Sequence, residues 1–292
     1  MRQRLLLALT TVVGAIALAI PATASAANEY GSTQKWPWSG YWWPMLDTNP
    51  NLYDTGGPLA KYDQYLGATT GTRGNSQNWE GANHSTTNAA NSWWGHCHAW
   101  AAASILTTEP AANITKGGVT FTNEDTKGLV TELYYSPTYT WLSGRRVDDA
   151  NDRSSAAYQD IAPAWMDYLL RYYVRYHKYP FIMDLNANSE VWNFPVFAFN
   201  RDTRDLGNGN TGVTTKVWFS SPTRNKRGTP DYISRTYTYT LRLSAQGGYL
   251  DTGSWTGDSV HNHPDFAWVP TGKAAPAHLS EAKVEEILGQ NV

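Results

Sequence analysis

The chain has 292 residues, and its 23 Lys and Arg against 25 Asp and Glu leave a net charge of -2. Without a basic field it offers no footing for nucleic acid or for anionic lipid, and both partner classes are excluded on that ground. Fourteen tryptophans, eighteen tyrosines, 24 glycines and 15 prolines describe a loop-rich globule whose indoles can line a groove as well as fill a core.

At the start, Arg2 and Arg4 precede an apolar run that ends on the small residues Ala24, Ser25 and Ala26. This is the pattern of a secretory signal peptide over residues 1–26, and it predicts an extracellular protein. No later apolar stretch approaches the ~18 residues that a membrane span needs. Residues 27–292 read as one domain. Its first part, from Tyr30 to Gly81, mixes aromatics with Pro, Gly, Asn and Asp, and predicts wrapping loops and short turns.

The alanine-rich run after Cys97 has high helix propensity and is apolar on every side, so a buried helix is expected with Cys97 at its start. A second helix is expected from Asn123, which can cap it, with Glu124 and Asp125 in the first turn and Leu129, Val130 and Leu133 on one face. GRRVDDANDRSS reads as an exposed loop. A third helix is expected in PAWMDYLLRYYVRYHKY, with Trp165, Tyr168, Leu169, Tyr172, Tyr173 and Tyr176 packed inward and Asp167, Arg171, Arg175 and Lys178 turned away.

After Pro180 the period changes to two. FIMDL and VWNFPVFAF predict two strands joined at NANSE, TKVWF a third, YTYTLRL a fourth and HPDFAWVP a fifth. The basic loop SPTRNKRGTPD is expected to be solvated. SEAKVEEILG predicts a short closing helix capped by Ser280 and stopped by Gly289. Helices first and an antiparallel sheet afterwards give an α+β fold in one domain.

Cys97 is the only cysteine. Exported chains use cysteines in pairs, so a lone thiol is either a small buried hydrophobe or a nucleophile. A nucleophile needs stabilised negative sulfur, which a helix start and a neighbouring imidazolium supply, and Gly95 lets the chain turn tightly into such a helix. Cys97 with Gly95 before it and Ala99 and Trp100 after it resembles the active-site segment of papain-like cysteine enzymes. Those enzymes place a glutamine six residues before the cysteine as an oxyanion donor, and Asn91 stands at that position here.

A second resemblance is more specific. WWGHCHAW, VWNFPVFAF and HPDFAWVP, in this order along the chain, are similar to the nucleophile segment, marker peptide and late histidine segment of the elicitor-type transglutaminases of oomycetes and some marine bacteria. The resemblance implies a papain-like catalytic core, a buried helix carrying the cysteine packed on the antiparallel sheet, and protein substrates bearing glutamine and lysine side chains. It implies calcium dependence in at least some members, whereas the thioester chemistry itself requires no cofactor.

A cysteine nucleophile also needs a proton acceptor. Among the seven histidines, His177 and His278 read as surface residues, and His96 and His98 diverge from their neighbour Cys97. His263 is the expected base, since Pro264 fixes its backbone in extended geometry and HPDF is one of the matching segments. Asp184 and Asp265 compete for the orienting carboxylate, with Asn193 as a third option, and the sequence does not choose between them. Trp94 and Trp192, with other indoles, would line the substrate site and keep water from the thioester.

No metal ligands are assigned. NRDTRDLGNGN carries the oxygens of Asp202, Asp205, Asn208 and Asn210 but lacks EF-hand spacing, so a turn is expected. The expected activity is isopeptide crosslinking by acyl transfer through Cys97. A papain-like peptidase or glutamine deamidase would use the same residues, and a non-enzymatic glycan-binding protein would use only the indoles.

Overall fold

The computed structural model describes residues 27–47, 50–146, 160–186, 190–244, 246–274 and 276–292, so the predicted signal peptide lies outside the described residues. Strand β1 (Asn28–Ser32) comes first. Helices α1 (Pro58–Thr70) and α2 (Ser76–Asn83) then occupy part of the segment expected to be loop. Pro58 in the first turn and left-handed Gly71 (φ 79°) are ordinary start and stop signals, and Leu59, Tyr62 and Tyr65 form its buried face. The buried Asp63 carboxylate of α1 accepts the N–H groups of Ser76 and Gln77, each at 2.9 Å, and so caps α2 from outside.

Helix α3 (Cys97–Leu106) buries Ala99, Trp100, Ala101, Ala102 and Ala103 completely. The short hairpin β2 (Ile114–Lys116) and β3 (Val119–Phe121) leads into α4 (Asn123–Leu133). Thr122, one residue before the expected Asn123, is the cap of α4. Its hydroxyl accepts Asp125 N–H at 3.3 Å while Asp125 Oδ2 accepts Thr122 N–H at 2.7 Å. Strand β4 (Ser136–Gly144) follows; the sequence reading passed over it because most of its side chains are exposed and break the apolar alternation.

The third helix exists, with Leu169 buried and Tyr168 and Tyr173 packed against the core as expected, but the ends of its aromatic stripe point outward and two of its charged residues point inward. It runs as α5 (Pro163–Leu169) and continues as a π-helical segment, Leu170–Tyr176. Trp165 and Tyr176 are about half exposed, at 51% and 52%, while Asp167 and Arg171 are buried with Met166, Leu170 and Val174. The reason is a polar network. Asp167 accepts Arg201 Nε–H, Tyr239 O–H and Tyr249 O–H, each at 2.6 Å, and Arg171 Nε–H is 3.0 Å from Glu29 Oε1. A fully satisfied buried carboxylate can occupy a core position that an unpaired one could not.

The sheet strands are β5 (Phe181–Met183), β6 (Phe194–Gly207), β7 (Asn210–Ser220), β8 (Tyr232–Arg242), β9 (Ser254–Trp255) and β10 (Phe266–Ala274). They form an antiparallel sheet in the order β4-β10-β5-β6-β7-β8-β9, with β1 pairing along the far half of β6. In β8, Tyr237, Tyr239 and Leu241 alternate inward as expected. The acidic part of NRDTRDLGNGN belongs to β6, and only Asn208 (φ 54°) and Gly209 (φ 75°) make the turn, as in a two-residue hairpin. The basic loop is tied down: Arg224 reaches Asp47 Oδ2 at 2.8 Å and Glu124 Oε1 at 2.5 Å. Helix α6 (Glu281–Leu288) closes the chain with Ser280 as cap and Gly289 in the left-handed region, as its sequence predicts.

Helix α3 lies against α4 on one side and against β4, β5, β6 and β10 on the other. Its alanines permit this close approach, and the result puts the first residue of α3 beside the starts of β6 and β10. The mixed α and β architecture with an antiparallel sheet agrees with the expected class. Among the described residues, no helix is long and apolar enough to cross a membrane.

Candidate active site

Three chain segments converge on Cys97. Ahead of it, Gly95 packs flat on the Trp42–Trp43 backbone: a Cβ at this position would stand 2.5 Å from Trp43 O and 2.6 Å from Trp42 O, and His96 N–H donates to Trp42 O at 2.5 Å. The sharp turn into α3 therefore needs glycine. Behind the sulfur lies the segment between β5 and β6, where Val191 O is 3.8 Å from Cys97 Sγ and Asn193 Nδ2 is 3.5 Å from it. The third segment is β10, from which Trp268 Nε1–H donates to Asn193 Oδ1 at 2.8 Å. That bond fixes which end of the Asn193 amide points at the sulfur.

Cys97 opens on a cavity of about 440 Å³, a volume within the range of small-ligand sites. Trp93, Trp94, Tyr139, Trp141, Phe266 and Trp268 form its aromatic wall, with Asn193, His98 and Arg146 as polar groups. Burial pushes the Cys97 thiol up, while the Asn193 side-chain amide and the backbone N–H groups of Asn193 and His98 act in the opposite direction. These donors are what a thiolate or an oxyanion formed at this place would use.

Asp184 lies just beyond β5, fully buried. Its Oδ1 accepts Leu185 N–H at 2.7 Å and Trp192 N–H at 2.9 Å, and its Oδ2 has no hydrogen-bond partner among the described residues. Burial pushes this carboxyl up to about 7, against the backbone N–H groups that favour its charge. The Asp184 charge is felt at Cys97, where it disfavours the thiolate. Asp184 is not among the residues lining the Cys97 cavity, so its influence on the thiol is electrostatic.

The structure does not bring His263 to Cys97. His263 stands before β10 and not within it; its Nδ1 is 2.8 Å from Ser259 O, its Nε2 is 2.8 Å from Asp160 Oδ2, and its ring stacks on Trp255. It lines a different cavity with Asp160, Pro163, Trp165 and Thr252. Asp265 is buried beside it and lends its backbone carbonyl to Ile161 N–H at 2.9 Å. His263 lies in a bend ahead of β10, and its ring lines a cavity other than that of Cys97.

Asn91 sits in a single turn of 3-10 helix, Ala89–Asn91, and is not among the residues lining the Cys97 cavity. Asn193 occupies the donor position instead. Trp94 is on the cavity wall, whereas Trp192 packs on Trp42 and Trp93 and donates to Glu190 Oε2 at 3.0 Å. Trp100 is core: its ring is fully buried and its Nε1–H donates to Trp38 O. His98, dismissed as a diverging neighbour, lines the cavity with Nε2 2.9 Å from Tyr135 O. Burial and the adjacent His96 push it down to about 4, so its ring is neutral at ordinary pH. No local pattern announces this, because the Tyr135 carbonyl arrives from a distant part of the chain.

Calcium prefers six to eight oxygen ligands. The oxygens of NRDTRDLGNGN do not converge: Asp202 Oδ1 is taken by Asn28 Nδ2 at 2.7 Å and Asp205 Oδ1 by Gly207 N–H at 2.8 Å. Among the described residues, the two groups of clustered His, Asp and Glu ligand atoms both include histidine.

A family model described as "Transglutaminase elicitor" matches residues 68–223 and 220–288. The fold is similar to that in the crystal structure of the GP42 transglutaminase from Phytophthora sojae, with a TM-score of 0.64 and 21% sequence identity, covering 89% of this chain and 90% of that one. No curated protein matches.

Proposed function

The chain belongs to the transglutaminase elicitor family, and we propose that it is a secreted protein-glutamine gamma-glutamyltransferase that crosslinks proteins through a Cys97 thioester. The observation that carries this reading is the Cys97–Asn193–Trp268 arrangement on an aromatic cavity next to a carboxyl poised near neutrality. In the first half-reaction the Cys97 thiol loses its proton to Asp184, the sulfur attacks the glutamine carboxamide carbon, and ammonia leaves with that proton. In the second, a lysine amine attacks the thioester, Asp184 takes a proton from it, and the thiol is regenerated as the isopeptide bond forms. The Asn193 Nδ2–H donor faces the developing oxyanion, and Trp268 holds it there.

Asp184 does not line the cavity either, but it is favoured over His263 as proton acceptor because its charge is felt at Cys97, whereas both ring nitrogens of His263 are engaged elsewhere. The His263–Asp160 pair then holds the segment that leads into β10 and Trp268. Neutral His98 is the other nitrogen base on the cavity wall, and its Nε2 is committed to Tyr135.

The test is incorporation of a fluorescent primary amine into a glutamine-rich protein by residues 27–292, with and without added calcium. Wild type is expected to incorporate amine, Cys97→Ser to incorporate none, Asp184→Asn to lose most activity and His263→Gln to retain it. Peptide cleavage or ammonia release in place of amine incorporation would identify a hydrolase using the same thiol. Silence in every assay, with glycan binding dependent on Trp94 and Trp141, would identify a binding protein.

A further inference from the structure

On the far side of α3 from the sheet lies a second group of ionisable side chains that the transfer chemistry does not use. Glu80 comes from α2 and His84 caps its C-terminal end, His96 immediately precedes Cys97, Glu132 comes from α4 and His278 stands before α6. All five side chains are enclosed, the most exposed being His84 at 9%. His278, expected at the surface, is instead stacked on Trp79 with ring centroids 3.8 Å apart. Tyr135 covers His84 and His96.

The atoms within this box are close without being hydrogen-bonded. His96 Nε2 is 3.1 Å from Glu80 Oε1 and 3.2 Å from Glu132 Oε2, and His278 Nε2 is 3.0 Å from Glu132 Oε1. None of these contacts has the angles of a hydrogen bond, and both nitrogens of His96 and His278 and both oxygens of Glu132 are buried without one. Of the four His–Glu contacts, only that of His84 Nδ1 with Glu80 Oε2, at 2.6 Å, is well aligned. Buried polar atoms in this condition call for an occupant. Four donors about 2.0–2.1 Å from a tetrahedral ion stand about 3.3 Å from one another, close to the separations seen here.

We propose that Glu80, His84, His96, Glu132 and His278 form a structural site for a transition-metal ion of the Zn²⁺ class. Two overlapping triads that share Glu80 bring their ligand atoms within 4.8 Å of one another: Glu80, His84 and His96, and Glu80, Glu132 and His278. Imidazole nitrogen with two carboxylates suits zinc and cobalt, and the nitrogens argue against calcium. Enclosure by protein on all sides leaves no path for substrate, so the ion is structural. Its position is informative: it would tie α2, α4 and the segment before α6 to the residue preceding Cys97. With one cysteine the chain can form no internal disulfide, and a metal is the alternative staple.

A proton is the competing occupant. Although burial opposes charge, Glu132 and Glu80 push His96 up, which favours an imidazolium between two carboxylates in the metal-free box. Metal would displace that proton.

The experiment is elemental analysis of residues 27–292 after chelator treatment, loading with Zn²⁺ and desalting, together with thermal melts and the visible spectrum of the Co²⁺-loaded protein. About one or two ions per chain are expected, with a Tm that falls on stripping and returns on loading. Cobalt is expected to give d–d bands without a thiolate charge-transfer band. Cys97→Ser and the exposed-site control His177→Gln should load like wild type, and Glu80→Gln and His278→Gln should load less than about a tenth as much. A folded wild-type protein that retains less than about 0.1 ion per chain and shows no zinc-dependent Tm would overturn the site in favour of the imidazolium. Equal loading by wild type and both ligand variants would also overturn it. Amine incorporation is not a readout, so failure of the transferase reading leaves this result interpretable.

Discussion

Trp268 Nε1–H donates to Asn193 Oδ1 at 2.8 Å and thereby turns the Asn193 amide nitrogen towards Cys97 Sγ, 3.5 Å away. An asparagine without that bond could present its carbonyl to the sulfur instead, and would then repel a thiolate. Trp268→Phe keeps an aromatic ring and removes the N–H donor together with part of the indole. It is expected to lower kcat for amine incorporation about ten-fold or more, the worth of roughly 1–2 kcal/mol of lost orientation, with KM nearly unchanged. Asn193→Ala should cost more, and a Trp268→Phe protein with unaltered kcat would remove the positioning role.

Asp184 sets the expected pH dependence. With its carboxyl pushed up to about 7, the ionised base is gained as pH rises through that value, so the ascending limb of kcat/KM should lie there. Asp184→Asn should flatten that limb and reduce the rate about 10²–10⁴-fold. Stability runs in the opposite direction. A carboxyl raised on folding contributes stability that is present below its unfolded pKa and is lost as pH rises through about 7. Between about pH 5 and pH 8, wild type should therefore lose more Tm than Asp184→Asn, which differential scanning calorimetry would show.

What could be read from the sequence follows from how local each signal was. The Cys97 helix, the Ser280 cap and the Gly289 stop depend on neighbouring residues and were legible. Asp184 and Asn193 were legible as candidates, but their roles depend on Trp192 and Trp268, which only the pairing of β5 with β6 and β10 brings near. His263 was misplaced because Pro264 constrains its backbone and says nothing of which cavity its ring enters. Aromatic spacing on α5 pointed outward because Asp167 and Arg171 are buried by partners from β8, from the Tyr249 turn and from β1. Glu80 and His84 are an ordinary i, i+4 pair, and only tertiary packing brings Glu132, His96 and His278 to them.

The Asp167 network carries its own test. Although burial opposes charge, the Arg201 guanidinium and two tyrosine hydroxyls hold the Asp167 carboxyl below the usual range. A carboxyl lowered on folding contributes stability that is present above its unfolded pKa and lost as pH falls through the folded one. Asp167→Asn leaves Arg201 buried without its counter-charge and should cost about 3–5 kcal/mol in urea unfolding at neutral pH. The double variant Asp167→Leu with Arg201→Met, which buries no charge, should recover part of that loss, and the difference between wild type and Asp167→Asn should shrink in acid.

Trp94 tests how the cavity chooses between amine and water. It lines the Cys97 cavity yet is 42% exposed, so its ring stands at the mouth and its loss should leave the core intact. Water is the competing nucleophile throughout the life of a thioester, and a wall that excludes it favours the amine without changing the first half-reaction. Trp94→Ala should therefore leave ammonia release from the acylation step near wild type and lower the ratio of amine incorporation to hydrolysis on the order of 3–10-fold. Trp94→Phe, which keeps an aromatic face, should hold most of the ratio. An unchanged ratio in Trp94→Ala would assign water exclusion to Trp141 and Tyr139 on the β4 side of the cavity, and the same measurement on Trp141→Ala would then show the shift.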